Sequence, residues 1–147
     1  WHGSCSIGWH HMPPRFGRLR GWELRREQLA WAAGFVDGEG SFHLDRKGFR
    51  KGQRRHPHPR FEVGQAEPKI LRRFRQAVGF ANPVNGPYGN TKKDAKRPAK
   101  PTWVYGVSGH EHVQALLALL WPWLGQTKRQ QAKVALKRYS EWDSART

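Results

Sequence analysis

Two carboxylates stand in a glycine-rich turn, within the segment AAGFVDGEGSF at residues 32–42. Asp37 and Glu39 alternate with Gly38 and Gly40, so carboxylate and backbone carbonyl oxygens can point out of the same tight turn. Oxygen ligands of both kinds suit Mg²⁺. The pattern has a second interpretation, because glycine-capped acidic turns at helix ends are common and need not bind an ion.

The net charge of the chain makes these two acids more informative. The 147 residues include 27 Lys and Arg but only 11 Asp and Glu, which gives a formal net charge of +16. A basic excess of this size favours a polyanionic partner, above all nucleic acid. Acids within a phosphate-binding surface would repel that ligand unless a metal ion lay between them, which is how nucleases use carboxylates. A general basic structural protein, without metal dependence, is the alternative.

Composition also limits the cellular context. No apolar stretch approaches the roughly 18 residues that a membrane span needs, so no membrane partner is expected. The N-terminus lacks the continuous apolar segment of a secretory signal. The single cysteine, Cys5, rules out an internal disulfide and fits a reducing compartment. We therefore expect an intracellular protein, in a bacterial cytoplasm or an organelle, that is not secreted.

Hydrophobic spacing predicts one domain over residues 23–147, preceded by a basic, poorly ordered arm over residues 1–22. The predicted order is helix, two strands, helix, two strands, two helices. The predicted ranges are 23–36, 41–45, 60–64, 68–79, a weak strand within 81–91, 102–108, 111–120 and 126–142. Pro68 suits the first turn of the second helix and Gly79 suits its end. In the weak strand, Val84 and Tyr88 are the candidates for inward-facing residues.

This order predicts an antiparallel sheet that carries helices on one face and leaves its other face open. Period-two alternation places His43 and Asp45 of the first strand, and Arg60 and Glu62 of the second, on the open face. Two basic loops flank it. The loop over 46–60 holds seven Lys and Arg residues, and the second loop spans 92–101. We expect the sheet face and the loops to form a cationic saddle.

Small residues form a stripe along the first helix at positions i, i+3, i+4 and i+7, namely Ala30, Ala33, Gly34 and Asp37. Such a stripe allows a second helix to approach closely. If that helix belongs to a second copy of the chain, two acidic turns lie side by side on a two-fold axis, and one motif supplies two adjacent metal sites. Packing of the stripe against the chain's own sheet is the alternative.

Taken together, these residues resemble the LAGLIDADG homing endonucleases. AAGFVDGEG at residues 32–40 matches the nine-position family motif, with glycines at the third and ninth positions and acids at the sixth and eighth. FEVGQ at 61–65 resembles a strand that ends in a catalytic-centre glutamine. WPWLGQTKRQQAKVALK at 121–137 resembles the segment that carries a catalytic-centre lysine. The similarity covers about residues 23–142, with two departures: Ala32 replaces the usual leucine, and residue 39 is Glu where Asp is more usual.

The resemblance implies an α+β fold, an αββαββα subunit with a saddle-shaped antiparallel sheet on DNA. Glu39 would bind Mg²⁺ (or Mn²⁺), with the Gly38 carbonyl beside the metal. Gln65 would help to place the water network, and Lys128 would stabilise charge near the scissile phosphate. The lysine assignment remains open because two other cations stand close to it in the sequence, Arg129 and Lys133.

The resemblance further implies a homodimer, since only one motif is present. The dimer would bind a long, nearly palindromic duplex and make a staggered double-strand cut across the minor groove. Relatives of this fold also act as splicing factors that bind intron RNA, or as DNA-binding proteins that do not cut. Glu39, Gln65 and Lys128 favour the nuclease, because a module that only binds has no need of an acid in its phosphate groove.

DNA contacts are expected from the open face and from the basic loops. Cations on the face can pair with guanine and carboxylates can accept from cytosine N4, while Thr102 or Val104 could touch thymine methyl groups. The loops would hold phosphates. For each residue the alternative is a solvated side chain. The expected contacts are His43, Asp45, Lys47, Arg50, Lys51, Arg54, Arg60, Glu62, Lys69, Lys92, Lys93, Thr102 and Val104.

Overall fold

The computed structural model describes residues 14–46, 56–89 and 100–146 of the chain. Its elements in order are α1 (Pro14–Glu39), β1 (Gly40–Asp45), β2 (His58–Gln65), α2 (Pro68–Val78), β3 (Val84–Tyr88), β4 (Thr102–Ser108), α3 (His110–Leu120) and α4 (Gln126–Ser144). A 3₁₀ turn, Trp121–Trp123, links α3 to α4. The predicted α+β class and element order are confirmed. None of the described helices is both long and apolar enough to cross a membrane.

Helix α1 is longer than its apolar periodicity indicates. It begins at Pro14 instead of Glu23, so residues 14–22 are helical and not part of an irregular arm. Proline is favourable at a helix start, and the many arginines that follow have good helix propensity although they show no apolar stripe. Residues 1–13 of the predicted arm lie outside the described residues. The helix runs through Gly38, which does not take a positive φ, and passes directly into β1.

The four strands form one antiparallel sheet in the order β1-β2-β4-β3. Alternate side chains of the three longer strands point into the core, as Phe42, Phe61 and Tyr105 do. Helix α2 packs on this face through Leu71 and Phe74, both fully buried. The opposite face of the sheet carries the partly exposed, polar members of the alternation. The described helices thus cover one face of the sheet, as predicted.

Helix α4 lies along the edge strand β1. The Phe42 amide donates a hydrogen bond of 3.0 Å to Oε1 of Gln131 on α4. Unpaired edge amides would otherwise be available to another strand, so this contact helps to protect the edge. It also fixes α4 beside the first residues of β1, where the acidic turn is located.

The segment after α2 is only partly as expected. Gly79 has a left-handed φ of 80° and its amide donates to the Arg75 carbonyl, which confirms the predicted helix end. In β3, Val84 packs against the core. Tyr88 is 57 % exposed, so its predicted inward orientation is wrong. The pairing of β3 with β4 shifts register between Asn85 and Tyr88, which breaks the alternation that the sequence suggests.

The buried Tyr105 predicts an alkaline loss of stability. Its hydroxyl donates to the Phe80 carbonyl at 3.1 Å, and burial raises the pKa of Tyr105 from 10.0 to about 12. The folded state therefore holds this proton more tightly, and the stabilisation is lost as the pH rises from 10 through about 12. We expect denaturant unfolding of Tyr105→Phe to show a smaller loss of stability than the wild type over this interval. Equal losses in both proteins would contradict the assignment.

Candidate active site and nucleic-acid interface

The acidic turn lies at the junction of α1 and β1. Glu39 is the last residue of α1 and is exposed, while Gly40 opens β1 and is buried. A Cβ on Gly40 would lie 2.8 Å from the Phe61 ring, so packing requires glycine there. A Cβ on Gly38 would meet no atom within 4 Å, so the space beside Glu39 is open. Gly40 is therefore needed for packing against Phe61, whereas Gly38 leaves the space beside Glu39 open.

Glu39 is in an electrostatically unfavourable position. The C-terminus of a helix carries partial negative charge and favours cations, yet the last turn of α1 contains no basic residue. Within the described parts of the chain, Glu39 forms no salt bridge. An exposed carboxylate at a negative helix end attracts a cation. A bound metal ion would supply one.

The other motif acid, Asp37, is held within its own chain. Its two carboxylate oxygens accept the Gly125 amide hydrogen at 2.9 and 3.0 Å. Gly125 is the N-cap of α4, where the helix dipole favours negative charge. A Cβ on Gly125 would lie 2.9 Å from Oδ1 of Asp37, so glycine allows the contact. Asp37 therefore joins the end of α1 to the start of α4.

Lys128, three residues beyond Gly125, reaches the acidic turn. Its Nζ donates to the Gly40 carbonyl at 2.6 Å. The two neighbouring cations point elsewhere. The Arg129 guanidinium lies over the Trp121 ring, 4.7 Å from its centroid, and donates to the Trp121 carbonyl, and Lys133 Nζ is 5.2 Å from the same ring. Of the three candidates, only Lys128 contacts the turn.

Gln65 belongs to the same end of the sheet. It is the last residue of β2, two positions beyond Val63, which pairs with Gly40. Alternation gives it the same side as Phe61 and Val63, the helix-bearing side. The end of α1, the end of β2 and the start of α4 thus place Glu39, Gln65 and Lys128 at one end of the sheet.

The oxygen donors of the turn fit a hard divalent cation. The Glu39 carboxylate and a backbone carbonyl at Gly38 are suited to Mg²⁺ or Mn²⁺. In the described ranges, no group of three or more His, Cys, Asp and Glu side chains is placed to hold a metal ion. The described residues would therefore supply only part of a coordination sphere, which would leave positions for phosphate oxygens or water.

The small-residue stripe on α1 is not a single surface. Gly34 is exposed and a Cβ there would meet nothing within 4 Å, and Ala30 is partly exposed. Ala33 is fully buried in the core of its own chain and cannot contact a second subunit, which corrects the predicted stripe. The outer face of α1 near the turn consists of Ala30, Gly34, Asp37 and Gly38.

The open sheet face carries a polar network that spans β1 and β2. Arg60 Nε lies 2.7 Å from Oε1 of Glu62, and His43 Nε2 lies 3.9 Å from Oε2 of the same carboxylate. His58 Nε2 is 3.9 Å from Oδ2 of Asp45. His58 is not among the predicted contacts because the predicted strand begins at Arg60, whereas β2 begins at His58. Its period-two spacing from Arg60 was the signal that could have identified it.

The described part of this face is not cationic by itself, since Arg60 lies on it together with two carboxylates, Asp45 and Glu62. Thr102 is exposed and Val104 is partly exposed on β4. Lys69 is exposed on α2, on the helix-bearing side of the sheet, and so is not part of the open face. The other expected contacts lie outside the described residues: Lys47, Arg50, Lys51, Arg54, Lys92 and Lys93.

Solved structures with the same fold are LAGLIDADG and other homing endonucleases. I-CvuI, in complex with its target in the presence of Ca, is 23 % identical, with a TM-score of 0.61 over 83 % of this chain and 71 % of that chain. I-TnaI is 16 % identical, with a TM-score of 0.57 over 80 % of this chain and 74 % of that chain. I-LtrWI, bound to target DNA, is 19 % identical, with a TM-score of 0.57 over 81 % of this chain but 39 % of that chain. Searches found no matching protein-family model and no matching curated protein.

Proposed function

We propose that this chain is a homing endonuclease of the LAGLIDADG type that cuts duplex DNA site-specifically by metal-dependent phosphodiester hydrolysis. The observation that supports this most is the position of Glu39. It is an exposed carboxylate at a negative helix end, with no salt bridge in the described residues, and the Lys128 ammonium is bound to the adjacent carbonyl. The fold is shared with homing endonucleases that have been solved on DNA.

Each residue of the site has a distinct role in this proposal. Glu39, with the Gly38 carbonyl, would hold Mg²⁺ or Mn²⁺. When bound, the metal would make the attacking water more acidic and offset charge on the phosphate. Lys128 lies beside the turn and stabilises negative charge that develops on the phosphate. Gln65 can both donate to and accept from water, so it can orient the nucleophile.

Asp37 acts on the same site through α4. Its bond to the Gly125 amide fixes the first turn of that helix against the end of α1. Lys128 lies in that first turn, so the contact holds its ammonium within reach of Gly40. We infer that Asp37 positions Lys128 and does not bind the metal, because both of its oxygens already face one backbone amide.

The proposed enzyme is a homodimer. One chain contributes one Glu39, whereas a double-strand cut needs a centre for each strand. Two copies that pack through the outer face of α1, at Gly34, would bring two acidic turns together on the two-fold axis. A two-fold protein matches a nearly palindromic site, so each sheet would contact one half-site. The two sites on neighbouring phosphates would produce a staggered cut.

Divalent ions should separate binding from cleavage. We expect purified protein to cut a duplex carrying its own uninterrupted insertion site in Mg²⁺, and to bind without cutting in Ca²⁺. A chelator should prevent cutting in the Mg²⁺ buffer, because the carboxylate site then lacks its cation. Gel assays of binding and cleavage on the same duplex give both readouts. Tight binding with no cut under any divalent ion would instead identify a non-cleaving DNA-binding protein or an intron splicing factor of the same fold.

A further inference from the structure

A polar network on the open sheet face holds Arg60 in one orientation. Its Nε donates to Oε1 of Glu62 at 2.7 Å, and its Nη1 donates to Oγ of Ser108 at 3.2 Å. Arg60 and Ser108 are direct register partners on the neighbouring strands β2 and β4. The guanidinium is therefore fixed at two points and lies across the strands, while 31 % of the side chain remains exposed.

Gly106 provides the space in which this guanidinium lies. A Cβ on Gly106 would be 3.2 Å from Nη2 of Arg60 and 3.7 Å from its Cζ. Gly106 is the register partner of Glu62, so the glycine and the carboxylate stand next to each other on β4 and β2. Glu62, Gly106 and Ser108 together determine where the guanidinium rests.

The hydrogen bonds leave a defined part of the guanidinium available. An arginine has five N–H donors, and the two bonds use Nε–H and one hydrogen of Nη1. The other Nη1 hydrogen and those of Nη2 make no hydrogen bond in the described residues. A terminal pair of donors with this geometry matches O6 and N7 of guanine in the major groove.

Glu62 is engaged differently. Its Oε1 accepts from Arg60, and its Oε2 lies 3.9 Å from His43 Nε2. Both oxygens thus already face side chains of the same chain. A carboxylate held in this way orients its arginine and is poorly placed to accept a hydrogen bond from cytosine.

We propose that Arg60 reads one guanine in each half-site, and that Glu62 and Ser108 are positioning residues for it. This inference rests on the proposed function, since the ligand is duplex DNA, and it goes further by assigning one base to one side chain. It also replaces the expectation that Glu62 reads a cytosine. Fixing the guanidinium before binding reduces the conformational entropy that an arginine loses at the interface.

Base preference at single positions tests the proposal. The probe is a pool of randomised duplexes, selected by wild-type protein in Ca²⁺, followed by binding measurements with all four base pairs at each selected position. The expected consensus contains a G·C pair in each half-site that Arg60→Gln no longer prefers. The preference for G·C at this position should fall about tenfold or more in Arg60→Gln. The preferred pair should shift towards A·T, because glutamine pairs with adenine. Unchanged preference at every position would overturn the assignment of Arg60.

The positioning role has its own readout. Glu62→Ala and Ser108→Ala should each reduce discrimination severalfold at the pair that Arg60→Gln affects, with no change elsewhere. Glu62→Gln should retain more of this discrimination than Glu62→Ala does, since the glutamine amide oxygen can still accept from Nε of Arg60. The matched control is Ser41→Ala, which removes a hydroxyl from β1 on the same face and should not alter that pair. If Glu62→Ala changes preference at a different pair, Glu62 reads its own base and the positioning role is refuted.

The experiment separates this inference from the proposed function. If wild-type protein selects no consensus from the pool, site-specific DNA binding fails and both proposals fail with it. If a consensus appears without a G·C pair that depends on Arg60, only the present inference fails. A thermal melt of each variant checks that the fold is retained.

Discussion

Glu39→Gln is expected to abolish DNA cleavage and to leave DNA binding at least as tight as in the wild type. The amide has the same shape but lacks the charge that holds a divalent cation. Metal ions supply several kcal/mol of charge stabilisation in such reactions, which corresponds to about a thousandfold or more in rate. Binding should not weaken, because the substitution removes a negative charge beside the phosphates. Single-turnover cleavage and binding in Ca²⁺ measure the two quantities.

A second exposed glutamate of the chain, Glu111, provides the control for Glu39→Gln. Glu111→Gln makes the same change of charge at an exposed position on α3, away from the acidic turn, and should cut normally. Glu39 forms no salt bridge in the described residues and lies at a negative helix end, so its substitution should not lower the melting temperature. A Glu39→Gln protein that cuts at the wild-type rate would remove this residue from the catalytic site.

Gly34→Leu is expected to break the dimer and, with it, tight DNA binding. Within one chain the substitution is harmless, because a Cβ at residue 34 meets nothing within 4 Å and leucine favours a helix more than glycine does. In a close two-fold contact between two α1 helices, each copy would add one leucine side chain to the interface. Overpacking costs about 1–3 kcal/mol at each of the two sites, about 2–6 kcal/mol in total, so dimerisation should weaken about thirtyfold or more. Light scattering and DNA binding at the same protein concentration measure the effect.

Ala118→Leu is the matched control for the dimer, since it enlarges an exposed side chain on α3, away from the proposed interface. It should keep the wild-type mass and affinity, and both variants should still unfold in a cooperative thermal transition, which shows that the fold is retained. A wild-type mass equal to one chain at binding concentrations would refute the homodimer. A Gly34→Leu protein that still has twice the chain mass and binds normally would instead refute the interface at Gly34.

Local sequence signals were sufficient to predict most of the helices and strands of this fold. Alternation around Phe42 and Phe61 marks β1 and β2, and the end of α2 at Gly79 follows from the conformational freedom of glycine. These signals act within a few residues, so no partner element is needed to interpret them. They fail where a tertiary contact or a register shift intervenes, as at Tyr88, and where a helix lacks an apolar stripe, as in residues 14–22.

The sequence by itself determined the charge, the acidic motif and the order of the elements. Only the tertiary structure decided which cation reaches the motif, that Asp37 binds the start of α4, and that Ala33 is buried. The physical reason is geometric. Neighbours on a helix point in directions about 100° apart, so Lys128 and Arg129 are nearly equivalent in the sequence, yet packing of α4 against β1 brings only Lys128 to Gly40. Contacts across 88 residues depend on that packing, and spacing along the chain does not encode it.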